Sequence, residues 1–107
     1  MRNLSSEYHI ALKDLFEAIQ ADYDRWRTIA EIGLKQMDFD YIVGNKYIRV
    51  ITDDKIWGYL LIEDDKKFKK GDILMAANWT NPYRNHARGN IFDEYEISWT
   101  GPKYISR

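Results

Sequence analysis

Ile56-Trp57-Gly58-Tyr59-Leu60-Leu61-Ile62 decides the fold. The run is apolar on both alternating faces and follows the turn pair Asp53-Asp54, the pattern of a strand at the centre of a sheet. Upstream, Phe39, Tyr41 and Val43 alternate with polar or exposed neighbours, Gly44-Asn45 signals a hairpin, and Lys46 to Thr52 is a second β-rich run. Downstream, Glu63 to Gly71 holds three acids followed by four lysines and is expected as a solvated loop, while Ile73 to Ala77 is short and apolar enough for a fourth strand. Tyr95 to Trp99 gives a last strand, ended by the breaker Gly101-Pro102.

Such a sheet needs a cover. From Ser5 to about Lys35, Leu12, Leu15, Phe16, Ile19, Tyr23, Trp26, Ile29 and Ala30 recur at gaps of three and four, which places them on one face of a helix. Ser5 or Ser6 can cap its start, Glu7 suits the positive end of the dipole, and Gly33 followed by Lys35 supplies a stop. The opposite face, with Lys13, Asp14, Glu17, Asp24 and Glu31, is expected to be solvated. The expected architecture is α+β: an N-terminal amphipathic helix packed on an antiparallel sheet of four or five strands, in a single domain over residues 1–107.

Composition narrows the function classes. Apolar residues at 45% and a mean hydropathy of -0.59 fit a folded, soluble chain rather than a disordered or membrane-embedded one. With 16 Lys+Arg against 17 Asp+Glu the formal charge is -1, which removes the global attraction that duplex-DNA binders use, so any anion must meet a local patch. The absence of cysteine excludes disulfides, a thiolate nucleophile and Cys-containing zinc sites, and fits a cytoplasmic location. Signal-peptide and membrane-spanning patterns are missing too. Four Trp and eight Tyr are more flat amphipathic surface than so short a core takes, so some should face a ligand or another subunit, most simply in a homodimer or higher homo-oligomer.

The stretch from Asn78 to Asn90 has neither helical nor strand period and is long for a connection in a compact domain. No acid occurs between Asp72 and Asp93, while Arg84 and Arg88 do, which gives a locally cationic segment suited to an anion. Arg84 and Arg88 are candidates to hold phosphate, Trp79 and Tyr83 to stack on a base, and Asn78 and Asn90 to read base or ribose edges. His86 joins the binding candidates as a hydrogen-bonding loop residue, and Gly89 allows close backbone approach. A purely structural role competes on equal terms: Asn, Pro and Gly are turn residues, Trp79 can lid the core, and the arginines can pair with Asp93, Glu94 or the acids of an earlier loop. Two histidines far apart make a metal site unexpected, and no cofactor is implied. Hydrolase, phosphate-loop, dinucleotide and zinc-protease signatures are missing, and the four serines have no neighbouring base, so no catalytic residue is assigned. Asp53-Asp54 and Asp64-Asp65 read as solvated turn pairs, and Trp57 and Tyr59 as core.

Across Lys70 to Gly101, the Gly71-Asp72 pair, Trp79 three residues before Pro82, Ala87-Arg88-Gly89-Asn90 and Trp99-Thr100-Gly101 resemble, in this order, a group of small tailed-phage proteins. The resemblance covers about a third of the chain and leaves out the helix; Pro82-Tyr83-Arg84 stands where the group usually has Pro-Ala-Lys, keeping the cation and adding a ring. By general likeness the chain also resembles the phage sponge proteins that sequester cyclic-nucleotide signals of bacterial defence systems such as CBASS and Thoeris. That resemblance implies an oligomeric binding protein without turnover, acting in the cytoplasm of the infected host on a cyclic oligonucleotide or other phosphorylated nucleotide. A module that inhibits a host enzyme through its aromatic surface, and a single-stranded nucleic-acid binder, are the alternatives; near-neutral charge disfavours the latter.

Overall fold

The computed structural model describes residues 4–29, 36–84 and 86–102. Helix α1 spans Ser6–Ile29. Ser5 caps it, its hydroxyl and carbonyl both accepting from the Tyr8 N–H, at 3.2 and 3.1 Å. Gly33 and Lys35, read as its stop, lie outside the described residues. The buried face is Tyr8, Ala11, Leu12, Leu15, Ile19 and Tyr23; of the stripe expected from the sequence, Phe16 is partly buried, Trp26 is 40% exposed and Ala30 lies outside the described residues. Tyr8 adds a polar anchor, its hydroxyl donating to the Leu61 carbonyl at 2.5 Å, and burial drives its phenol pKa upward.

The partner of α1 is a four-stranded antiparallel sheet, β1 (Phe39–Val43), β2 (Tyr47–Thr52), β3 (Lys55–Leu61) and β4 (Ile73–Leu74), in the order β1-β2-β3-β4. The architecture is therefore α+β. Each of the first two connections is tight. Gly44 donates its N–H to the Tyr47 carbonyl at 2.9 Å, so the first corner falls on Asn45-Lys46, one residue later than the Gly-Asn signal suggests. Asp53 and Asp54 form the second corner with φ of 49° and 65°, both in the left-handed region that a twisted two-residue hairpin demands. β3 is internal and buried along its length from Trp57, as its composition predicts.

Register decides which side chains meet the helix. Val50 pairs with Gly58 but Ile51 pairs with Ile56, so Trp57 is the extra residue of a bulge. The slip turns Trp57 to the helix side, where it packs with Ile48, Val50 and Leu60, and its Nε1 donates to the Ser98 carbonyl at 3.0 Å. The other face of the sheet gathers Tyr59, Leu61 and Leu74 with Phe68. Phe68 is buried, so the Glu63–Gly71 segment is more than a solvated loop: one ring in it anchors the chain across the second face.

The C-terminal elements depart from expectation. β4 is two residues rather than five, because Ala76 bridges back to Pro82 within its own loop instead of continuing along β3. The last strand shrinks to β5 (Ile97–Ser98) and pairs with β6 (Gly101–Pro102) in a separate two-stranded sheet. Gly101-Pro102 is thus a short strand and not only a breaker, with Ile97 paired to Pro102 and Ser98 to Gly101. Trp99, half-buried, packs against Tyr23 and Trp26 of α1 with centroids 5.0 and 4.9 Å apart.

Candidate functional site

After β4 the chain leaves the sheet and returns. Tyr83 donates its N–H to the Met75 carbonyl at 2.8 Å, Ala77 to that of Asn81 at 3.0 Å, and Arg88 to that of Ile73 at 2.6 Å, so the segment is a hairpin-like excursion whose return leg extends the sheet beside β4. Two of its asparagines hold this shape. Asn78 Oδ1 accepts from Thr80 N, Thr80 Oγ1 and Asn81 N, each at 2.9 Å. Asn90 Nδ2 donates to the Lys70 carbonyl at 2.8 Å and to Asp72 at 2.9 Å, while its Oδ1 accepts from Phe92 N at 2.8 Å. Both amides therefore serve the loop's own backbone and neighbours.

The loop is free of acids in sequence but not in space. Arg84 meets Asp65 at 2.6 Å, donates to the Tyr47 hydroxyl, and lies 4.8 Å from the Phe68 centroid. Asp65 also receives Phe68 N at 2.7 Å, Lys67 N at 2.8 Å and the Lys46 ammonium at 3.3 Å. The Phe68 N–H first, then the Arg84 guanidinium and the Lys67 N–H, hold the Asp65 carboxyl well below the usual carboxylate range, and Asp65 in turn raises the Arg84 pKa. A carboxyl depressed in the folded state stabilises the fold above its unfolded pKa, about 3.9, and that stabilisation is lost as pH falls toward the folded value. The urea midpoint of the protein is accordingly expected to fall below about pH 4, and Asp65→Asn to flatten that part of the profile. An unchanged slope in the variant would show that another carboxylate carries it.

A second arginine occupies the same face. On β2, Tyr47, Arg49 and Ile51 alternate with the buried Ile48 and Val50, so the Arg49 side chain is directed away from the helix. Its guanidinium lies 5.9 Å from the centroid of Trp79, and its Nε is buried without a hydrogen-bond partner among the described residues. Trp79 is held in place by its backbone: the Tyr59 hydroxyl reaches the carbonyls of Trp79 at 2.6 Å and Asn78 at 3.0 Å, while 45% of Trp79 remains exposed. Arg49, Lys46, Tyr47, Tyr59, Asn45 and Thr80 line a cavity of about 190 Å³. On the other side of Trp79 a larger depression, about 540 Å³, is walled by Asp38, Asp40 and Asp54 with Phe39 and Ile51.

The structure thus unites some of the expected residues and separates others. Trp79 stands beside Arg49, and Arg84 borders the same cavity through Tyr47. Arg88 and Asn90 lie on the return leg against Ile73 and Asp72, with Arg88 half-buried; Tyr83 and His86 are exposed. Arg49, Lys46 and Tyr47 were not singled out by sequence, although a lone charge inside Tyr47-Ile48-Arg49-Val50-Ile51 was a usable signal. Among the described residues no group of three His, Cys, Asp or Glu is placed to hold a metal ion, and no helix is long and apolar enough to cross a membrane. No protein-family model matches the chain, and neither does any curated protein or solved structure.

Proposed function

We propose that the chain is a binding protein that retains a phosphorylated nucleotide at the cavity lined by Arg49, Lys46, Tyr47 and Thr80, next to Trp79, without cleaving it, the behaviour of a sponge for a cyclic-nucleotide signal. The observation that carries this is the Arg49 guanidinium, with Nε buried and unpartnered among the described residues under an exposed indole. A guanidinium with one N–H buried without an acceptor, and with no carboxylate against it among the described residues, gains most from an anion that supplies charge and acceptors together. The indole beside it offers a stacking face for a base. Lys46, the Tyr47 hydroxyl, Asn45 and Thr80 add polar groups around the same opening. A space of about 190 Å³ suits a phosphoryl group and its sugar, and leaves the remainder of a cyclic oligonucleotide on the open face next to Trp79 and Ile42. In this proposal Arg49 takes the phosphate role that sequence alone gave to Arg84 and Arg88, while Trp79, with Tyr83 nearby in the loop, keeps the stacking role. The general likeness to phage sponge proteins accords with this reading.

The test is a thermal-shift screen against cyclic di- and trinucleotides and cyclic ADP-ribose isomers, followed by chromatography of the ligand released from the protein. A true ligand at a hundred times its Kd adds about 2.7 kcal/mol of stability and is recovered intact. Recovery of a cleaved product would make the protein an enzyme, and no shift with any member of the panel would remove the nucleotide assignment.

A further inference from the structure

Trp79 is shared by two spaces of opposite charge. On one side its ring centroid lies 5.9 Å from the Arg49 guanidinium, beside the cavity that Arg49 and Lys46 line. On the other side it walls the depression of about 540 Å³ with Asp38, Asp40 and Asp54, and the rest of that lining, Phe39 and Ile51, brings no amide, hydroxyl or ammonium group. Register gives the separation. Ile42 pairs with Arg49 and Asp40 with Ile51, so Asp40 projects from the same sheet face as Arg49, one row of side chains along the hairpin, a rise of about 7 Å. That is the scale of the step from a phosphate across its ribose to a base. Charge sets the direction of the step, because phosphate is attracted to the Arg49 end and repelled by the aspartates.

A base laid on the indole with its phosphate at Arg49 turns one edge toward these carboxylates. A carboxylate only accepts hydrogen bonds, so it discriminates among bases by their donors. Guanine presents two adjacent donors, N1–H and the 2-amino group, which a carboxylate can take in parallel. Adenine and cytosine present one amino donor beside a ring nitrogen whose lone pair would face the carboxylate, and uracil presents one N–H between two carbonyls. We propose that Asp40 reads the base edge and makes the site selective for guanine nucleotides; the assignment rests on the nucleotide reading above and adds which base is taken. Asp40 is exposed and oriented by its own backbone: its Oδ1 accepts the Tyr41 N–H at 2.8 Å, which leaves Oδ2 without a partner among the described residues.

Titration calorimetry of the full chain with cyclic di-GMP, cyclic di-IMP and cyclic di-AMP, which share a backbone and differ at the base, tests it. Cyclic di-GMP is expected to bind about tenfold or more tighter than cyclic di-AMP, with cyclic di-IMP, which lacks the 2-amino donor, between them. Asp40→Asn is the second arm. The Asn carbonyl can keep the Tyr41 N–H and turns an amide donor outward, opposed to guanine N1–H and matched to a ring nitrogen of adenine, so the variant should reverse the order of the guanine and adenine ligands. Circular dichroism checks that the variant is folded as wild type. Equal affinities, a preference for adenine in the wild type, or an unaltered guanine preference in Asp40→Asn overturns the base assignment and leaves the nucleotide reading standing. Binding of none of the three ligands also removes the guanine assignment, while the wider thermal-shift panel decides the nucleotide reading separately.

Discussion

Gly89→Ala should lower stability by about 2–5 kcal/mol, a fall in Tm of roughly 10–20 °C for a domain of this size. Gly89 has a φ of +117°, outside the region open to L-residues, and a Cβ there would lie 2.7 Å from Tyr95 Cβ, 2.8 Å from the Glu94 carbonyl oxygen and 2.9 Å from Tyr95 Cα. Two of those three atoms are backbone, so no side-chain rotation relieves the clash. The site is also tied down: Gly89 bridges to Tyr95, and its carbonyl accepts the Ile73 N–H at 2.9 Å, which joins the return leg of the loop to β4. Thermal denaturation checks this directly. A variant melting within two degrees of wild type would mean that the 86–95 segment is not packed as described.

The second large effect is on binding. Arg49→Met is expected to weaken nucleotide affinity ten- to a hundredfold, the worth of about 1.5–3 kcal/mol in charge-assisted bonds to phosphate, while leaving Tm unchanged or slightly higher. Methionine keeps an unbranched apolar stem beside Trp79 and Tyr59 and removes a buried N–H that has no partner among the described residues. Loss of affinity without loss of stability marks a group held ready for a ligand. Titration calorimetry and melting on the same preparation separate the cases: a variant that melts lower yet binds normally would make Arg49 structural. Trp79→Phe should bind nearly as wild type, since any aromatic face can stack on a base.

The elements legible in the sequence are those whose signals are local. The β3 run lost its alternation because both its faces are covered, and the helix stripe kept its spacing because only one of its faces is. Asp53-Asp54 announced its corner because Asp tolerates a left-handed backbone. What residue type and spacing left open were contacts across distance, among them the pairing of a loop arginine with an acid of the earlier loop. Arg84 is neutralised by Asp65, 19 residues away, and the acid-free appearance of 78–90 vanishes once the loop lies against 63–68 and beside Asp38 and Asp40. Asn78 and Asn90 were expected to face a ligand but are engaged by backbone and side-chain groups within a few residues or across β4, a competition that residue type alone does not resolve. Arg49 escaped because a charge on an alternating strand reads as solvated surface, and only the position of Trp79 shows what covers it.

The two tight corners bear on the order in which the chain assembles. Strands β1, β2 and β3 are joined by two connections of minimal length, so bringing them together loses little chain entropy and needs no distant partner. The helix is the opposite case: its Tyr8 hydroxyl reaches Leu61 across 53 residues, and its apolar stripe has nothing to rest on until the meander exists. The meander is therefore the expected nucleus and α1 the late addition. Substitution at the Asp53-Asp54 corner is expected to slow folding, and trimming Leu12, Leu15 or Ile19 chiefly to hasten unfolding, a difference that stopped-flow folding and unfolding rates would read.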